Sequence, residues 1–166
     1  MPFSCTDIIE KLGLEPLPLE GGYFKRSYET SQSIDLEKGY SQPLGTCIYF
    51  LLTADSFSAL HWLIEDEVYH FYLGDPVELF ELSRDEGLKR TVLGHDLMNE
   101  QKVQYPVLKN HWHGSRLIEG GDWALLGTTM APGFVWEDFK LGERQKLVEE
   151  FPKYKKLIVE LTRGQN

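Results

Sequence analysis

His61, Glu67 and His70 fall within one short stretch of the chain, His61-Trp62-Leu63 followed by Ile64-Glu65-Asp66 and then Glu67-Val68-Tyr69-His70-Phe71-Tyr72-Leu73. Imidazole titrates near neutrality and a carboxylate accepts or releases protons, so such a grouping can move protons or ligate a metal once a fold brings the side chains to one point. The stretch alternates with the period of a strand. Glu67, Tyr69, Phe71 and Leu73 share one face and Val68, His70 and Tyr72 the other. Gly74-Asp75-Pro76 closes it as a turn, and Val77 to Leu82 repeats the period. The chemistry is therefore expected on a sheet, which holds side chains more firmly than a loop does.

The elements around it are mostly short strands at hairpin spacing. Thr46–Leu52, Ser58–Leu63, Lys89–Leu93, Lys102–Leu108, His111–Leu117, Trp123–Met130 and Lys156–Leu161 all read as extended, separated by Gly-, Pro- or Asn-containing turns. Ser4 with Asp7 three residues on is a capping box for a first helix that Gly13 ends, and Leu147, Val148 and Phe151 mark a second helix stopped by Pro152. Leu14–Leu19 reads as an extended arm without a ladder, Glu20-Gly21-Gly22-Tyr23-Phe24 as a tight turn or a backbone edge lining a pocket, and residues 29–45 as a long loop. The pattern predicts an all-β sandwich or barrel with a short helix at each end, and residues 1–166 read as one domain.

Composition narrows the partners. A net charge of −9 argues against a nucleic-acid surface, which needs clustered Lys and Arg. The longest apolar run, Cys47 to Leu52, is too short to span a bilayer, and Met1-Pro2-Phe3-Ser4 lacks the basic start of a secretory signal. Cys5 and Cys47 read as free thiols of a reducing compartment, and the expected location is cytoplasmic.

His61, Glu67 and Gly74 together have the spacing of the first cupin motif, and Lys109-Asn110-His111-Trp112-His113 falls where a second motif would supply its last ligand. The chain resembles the cupin superfamily and, more closely, a cupin-like family of unknown function. The blocks that carry the likeness are Glu20-Gly21-Gly22-Tyr23-Phe24, Ile48-Tyr49-Phe50-Leu51-Leu52, Asp66 to Pro76, Leu93-Gly94-His95-Asp96-Leu97, Gln104, and Ala131-Pro132-Gly133-Phe134 through Glu137-Asp138-Phe139. The resemblance implies a double-stranded β-helix (a cupin jelly roll, RmlC-like), a homodimer, and a likeness to sugar-nucleotide epimerases. It places three of four ligand positions on His61, Glu67 and His113. The position of the second imidazole of the first motif is Leu63, and Asn110 takes a turn glycine's place.

Two histidines and a carboxylate suffice for a divalent zinc, iron, nickel or manganese ion, with Gln104, His111 or water filling the gap left by Leu63. Glu67 is expected on the strand returning beside that of His61, with His113 opposite. Tyr23, Tyr69, Phe71 and Trp123 are further pocket candidates, and Tyr49 and Trp136 are expected in the core. His70 reads as structural, His95 as a turn residue, and Arg26 and Arg116 as candidates for an anionic group or as surface. Three functions stay open. One is an isomerase- or epimerase-type enzyme on a carbohydrate derivative, with His61 and His113 exchanging protons at a carbon next to a carbonyl and Glu67 orienting them. The others are a non-catalytic binder of a sugar or metabolite, and a weak divalent-metal cupin.

Overall fold

The computed structural model describes residues 3–36 and 38–164. Two antiparallel sheets face one another. In spatial order, one holds β1 (Glu15–Pro16), β2 (Tyr23–Glu29), β5 (Thr46–Thr53), β12 (Trp123–Met130), β7 (Glu67–Gly74) and β10 (Gln104–Val107). The other holds β13 (Phe139–Leu141), β6 (Ser58–Leu63), β11 (Trp112–Leu117), β8 (Val77–Ser83) and β9 (Gly87–Leu93). A separate hairpin pairs β3 (Ser33–Asp35) with β4 (Ser41–Pro43). This is the cupin jelly roll, with short helices at both ends: α1 (Cys5–Leu12), α2 (Arg144–Glu150) and α3 (Lys155–Glu160).

Three apolar layers hold it. Phe50, Leu52, Tyr69, Phe71, Leu79 and Leu126 pack between the sheets. Leu147, Phe151, Ile158 and Leu161 of the C-terminal helices cover Leu60, Phe80 and Leu82 on the outer face of the five-stranded sheet. Ile8 and Leu14 cover Leu51, Trp123 and Leu125 on the outer face of the six-stranded sheet. Each such side chain removed from water contributes about 1.5–3 kcal/mol. The expected capping box is formed: the Ser4 amide donates to Asp7 and the Asp7 amide to Ser4 Oγ, and Gly13 ends α1 in the left-handed region.

Four expectations change. Lys156–Leu161 is not a strand. Its β-branched Ile158 and Val159 suggested one, but Leu157, Ile158 and Leu161 form a helical stripe docked on the outer face of the five-stranded sheet, and packing overrides propensity. The arm at 14–19 does make a ladder, Glu15 with Phe24 and Pro16 with Tyr23. The loop at 29–45 contains the β3–β4 hairpin. Leu73 leaves the face of Phe71, because β7 and β12 change register between Leu125 and Leu126, and it is 38% exposed.

One irregularity bears directly on the site. In the β6–β11 pair His61 faces His113, but Ser58 faces Ser115, so β6 spends one residue more than β11 between the two pairings. This bulge breaks the period of two and lets both Ser58 and His61 be buried. Gly114 sits opposite it, where a Cβ would lie 2.8 Å from the Ser58 carbonyl oxygen. Gly114→Ala should therefore cost about 1–3 kcal/mol, as overpacking does. Urea denaturation checks this, and wild-type stability in that variant would contradict the role given to the bulge.

Candidate metal centre

His61 and His113 are neighbours across the β6–β11 ladder, and Glu67 comes from the facing sheet. This reverses the expected placement: residues 64–66 cross from one sheet to the other, so β7 does not return beside β6, and β11 lies beside β6 rather than opposite it. One ligand atom from each of the three residues lies within 4.8 Å of the other two. All three are buried, at 2%, 7% and 1% exposure for His61, Glu67 and His113. Such a cluster could coordinate a divalent metal ion.

The ring nitrogens are oriented by the backbone. His61 Nδ1 lies 2.8 Å from the Ala59 carbonyl oxygen and its Nε2 lies 3.9 Å from Glu67 Oε2. His113 Nδ1 lies 3.2 Å from the His111 carbonyl oxygen and its Nε2 lies 3.0 Å from the same Glu67 Oε2. The carbonyl of the residue two before each histidine thus takes its Nδ1–H, and both Nε2 atoms point at one carboxylate. Phe139 stacks on His61 at 5.4 Å and Tyr69 meets His113 edge-on at 6.2 Å.

This geometry tests whether a metal fits. Each imidazole has an oxygen acceptor near each of its nitrogens, yet a neutral imidazole carries only one N–H. Without a cation both Nε2 lone pairs face a carboxylate oxygen. A proton or a metal ion between Nε2 and Oε2 resolves the conflict, and a divalent ion resolves it for both rings at once. The tautomer with Nδ1–H on a carbonyl and Nε2 free is the one that metal-ligating histidines use.

In the metal-free centre the charges settle unevenly. Burial pulls the His61 imidazolium down, but the Glu20 carboxylate, the bond to Glu67 and its charge, and the Ala59 carbonyl outweigh burial and raise its pKa from 6.5 to about 9. Burial works on Glu67 in the opposite sense, pushing it up, and the bonds and charges of His113 and His61 override this and hold it well below the usual carboxylate range. Burial first, and then the charge on His61, lower His113.

A cavity of about 700 Å³ opens onto the centre. His61 and Glu67 line its polar end, and Phe24, Ile48, Leu63, Met130, Trp136 and Phe139 line its apolar walls. The wall at 134–139 is tied to the β3–β4 hairpin through buried Asp138, which accepts from Tyr40 Oη, from Gln42 Nε2 at 3.1 Å and from Lys38 Nζ at 3.3 Å.

Of the other sequence candidates, Leu63 lies on the cavity wall. Tyr69 and Phe71 belong to the core between the sheets, with Tyr69 directly behind His113. Tyr23 and Trp123 belong to the layer under α1, outside the cavity, because their strand phase turns them to the outer face. His111 does not approach the three donors; its Nδ1 lies 3.3 Å from Glu81 Oε1. Gln104 is exposed on β10 opposite His70 and cannot fill the gap left by Leu63. His70 bonds Thr129 Oγ1 at 3.0 Å, and exposed His95 meets Phe71 edge-on. Arg26 lines the cavity paired to Glu29, while Arg116 is paired to Glu78 and Glu160 elsewhere. Trp136, expected in the core, is 47% exposed.

Glu20, Ser58 and Phe139 were not singled out as site residues. Glu20 had a readable signal: it precedes Gly21 and Gly22, whose φ values are +102° and +74°. A side chain on either glycine would strike neighbouring backbone, Phe57 O at 2.6 Å and Leu51 O at 2.7 Å.

A two-sheet jelly roll with two buried histidines and a glutamate between its layers is the architecture of a cupin. The chain belongs to the Cupin superfamily (DUF985) family, which matches residues 6–142. It is similar to two solved structures over nearly their full lengths. One is a hypothetical protein from Leishmania major, 26% identical, TM-score 0.91, covering 98% of this chain and 100% of that one. The other is a Shewanella oneidensis protein, 30% identical, TM-score 0.90, covering 98% and 99%. At 13% identity it shares the fold of Bacillus subtilis oxalate decarboxylase, described with Mn(II) centres, with TM-score 0.55, covering 98% of this chain and 40% of that one. Among curated proteins none matches significantly. Among the described residues no helix is long and apolar enough to cross a membrane.

The raised His61 value carries a stability prediction for chelator-treated protein. A group whose folded pKa lies above its unfolded value stabilises fully below the unfolded value and loses that contribution as pH rises through the folded one. The His61 contribution should thus fade between pH 6.5 and about 9. It should amount to at most roughly 3 kcal/mol. Above pH 6.5 His113, whose pKa is lowered, is neutral folded or unfolded and does not oppose the trend. Melting temperatures across this window should fall in wild type and stay flatter in His61→Gln. Equal slopes would contradict the charge placement.

Proposed function

We propose that this cupin holds one divalent transition-metal ion on His61, His113 and Glu67 and presents it to a small organic molecule in the adjoining cavity. The observation that carries this is the oxygen acceptor near both nitrogens of both imidazoles, with the two Nε2 atoms converging on Glu67 Oε2. The Mn(II) centres of oxalate decarboxylase, on the same fold, support it. Such an ion, when bound, acts as a Lewis acid toward an oxygen of the ligand or of water. The chain supplies the rest. Ala59 and His111 fix the imidazole tautomers through their carbonyls, Phe139 keeps the His61 ring in place, and the apolar walls receive the less polar part of the ligand.

A second reading rests on the same residues without metal. His61 is held charged while His113 is held neutral, and two titratable groups pushed apart in this way suit acid–base work. In that case His61 would return a proton that His113 abstracts, in an isomerase- or epimerase-type reaction on a carbohydrate derivative.

Calorimetric titration of zinc, manganese and nickel into wild type, Leu63→His and Glu67→Gln separates the two. The metal reading expects one site in wild type and tighter binding in Leu63→His, which restores an imidazole to the cavity wall. It expects a loss in Glu67→Gln larger than the roughly 10–100-fold typical of outer-shell changes. Three proteins that behave alike with every metal would exclude it in favour of the metal-free pocket.

We also infer that two copies pair through the open outer face of the six-stranded sheet, where Tyr72 and Leu73 are 41% and 38% exposed. Light scattering should give twice 19.2 kDa, and a single chain mass would refute the pairing.

A further inference from the structure

Glu20 stands beside the centre but outside its three-donor set. It lines the cavity together with His61 and Glu67. Its placement is built. Ser58 Oγ donates to Glu20 Oε1 at 2.6 Å. The Ala59 amide donates to the Glu20 carbonyl at 2.9 Å, while the Ala59 carbonyl takes His61 Nδ1 at 2.8 Å. One residue of the β6 bulge, Ala59, therefore fixes both the Glu20 backbone and the His61 ring, and Arg163 Nη2 adds a second donor to the Glu20 carbonyl at 3.0 Å.

Ser115, the ladder partner of Ser58, is fully buried, and its Oγ has no hydrogen-bond partner among the described residues. A buried hydroxyl left unpaired costs about 1–3 kcal/mol.

Resting on the metal reading, we propose that Glu20 is a fourth functional group of the centre, an outer carboxylate that strengthens its hold on a divalent cation and turns away small anions, so that the cavity selects neutral, hydroxyl-bearing ligands. Charge balance supports it. Burial pushes the Glu20 carboxyl above the usual carboxylate range, and a divalent ion beside it would favour its charged form; Glu20 and Glu67 together would then neutralise an ion that two neutral imidazoles cannot. A further anion entering beside the ion meets the Glu20 carboxylate, whereas a hydroxyl donates to it. Arg26 on the cavity wall is already paired with Glu29, and Glu15 and Glu137 line the cavity as well. Lys25 lines the rim too, with its ammonium on the Leu12 carbonyl at 2.9 Å.

Two titrations on the intact protein test this, in wild type, Glu20→Gln and Ser58→Ala. In the first, zinc is added to metal-stripped protein by calorimetry. Glu20→Gln should keep one site and lose about 10-fold or more in affinity, within the range for outer-shell partners of metal ligands. Ser58→Ala should lose less. In the second, formate is added to zinc-loaded protein. Its affinity should rise by about 10-fold in Glu20→Gln, because a repelling charge has gone. The opposite signs matter: a site merely loosened by the substitution would weaken on both counts. Unchanged zinc and formate affinities in Glu20→Gln, or a fall in both, would overturn the role of Glu20 and leave the metal reading standing. No zinc binding by wild type would overturn both.

Discussion

Two imidazoles buried against one carboxylate cannot all be satisfied by their own hydrogens, and the site depends on that constraint. His61 and His113 each present Nδ1 to a backbone carbonyl and Nε2 to Glu67. In water such a conflict would dissolve by rotation. Here Phe139 packs on His61, Tyr69 packs on His113, and all three side chains are buried at the end of the cavity. A positive charge must then sit among the three side chains. As a proton it gives the raised His61 and the depressed Glu67; as a metal ion it uses all three donors together. Burying the cluster without that charge would leave an unpaired polar group at a cost comparable to a lost hydrogen bond.

The jelly roll maintains this arrangement by dividing the donors between its sheets. The two histidines are ladder partners on β6 and β11, so their spacing follows from strand pairing, while Glu67 is delivered across the interlayer gap by β7. The β6 bulge then brings Ser58 and the Ala59 peptide to the same end, where they meet Glu20. Gly21, Gly22 and Gly114 mark the places where another segment approaches too closely for a side chain. The elements that hold the site are thus mostly backbone: carbonyls, a bulge and tight approaches.

That explains what the sequence made legible and what it hid. Strand alternation and turn residues revealed the all-β architecture, and the capping box of Ser4 and Asp7 revealed the first helix, because these signals are local. The spacing of His61, Glu67 and His113 pointed, through a family resemblance, to three side chains that the fold does bring together. Which sheet carries which donor was not legible, since the 64–66 connection looks the same as a hairpin or as a crossover. Tyr23 and Trp123 were drawn to the pocket by their aromaticity alone, although strand phase puts them under α1. Glu20 was missed because its role comes from a contact with Ser58 made across a long stretch of chain. The last helix was missed because its β-branched residues favour a strand until the outer face of a sheet is there to dock on.

On the reading proposed above, His61, His113 and Glu67 converge to hold a metal ion. The most direct test of that reading is a crystal of zinc-loaded protein measured on both sides of the zinc absorption edge. One anomalous peak per chain should appear, about 2.0–2.2 Å from His61 Nε2, His113 Nε2 and a Glu67 carboxylate oxygen. A peak held by other residues, or none at this position from protein carrying one zinc per chain, would contradict it.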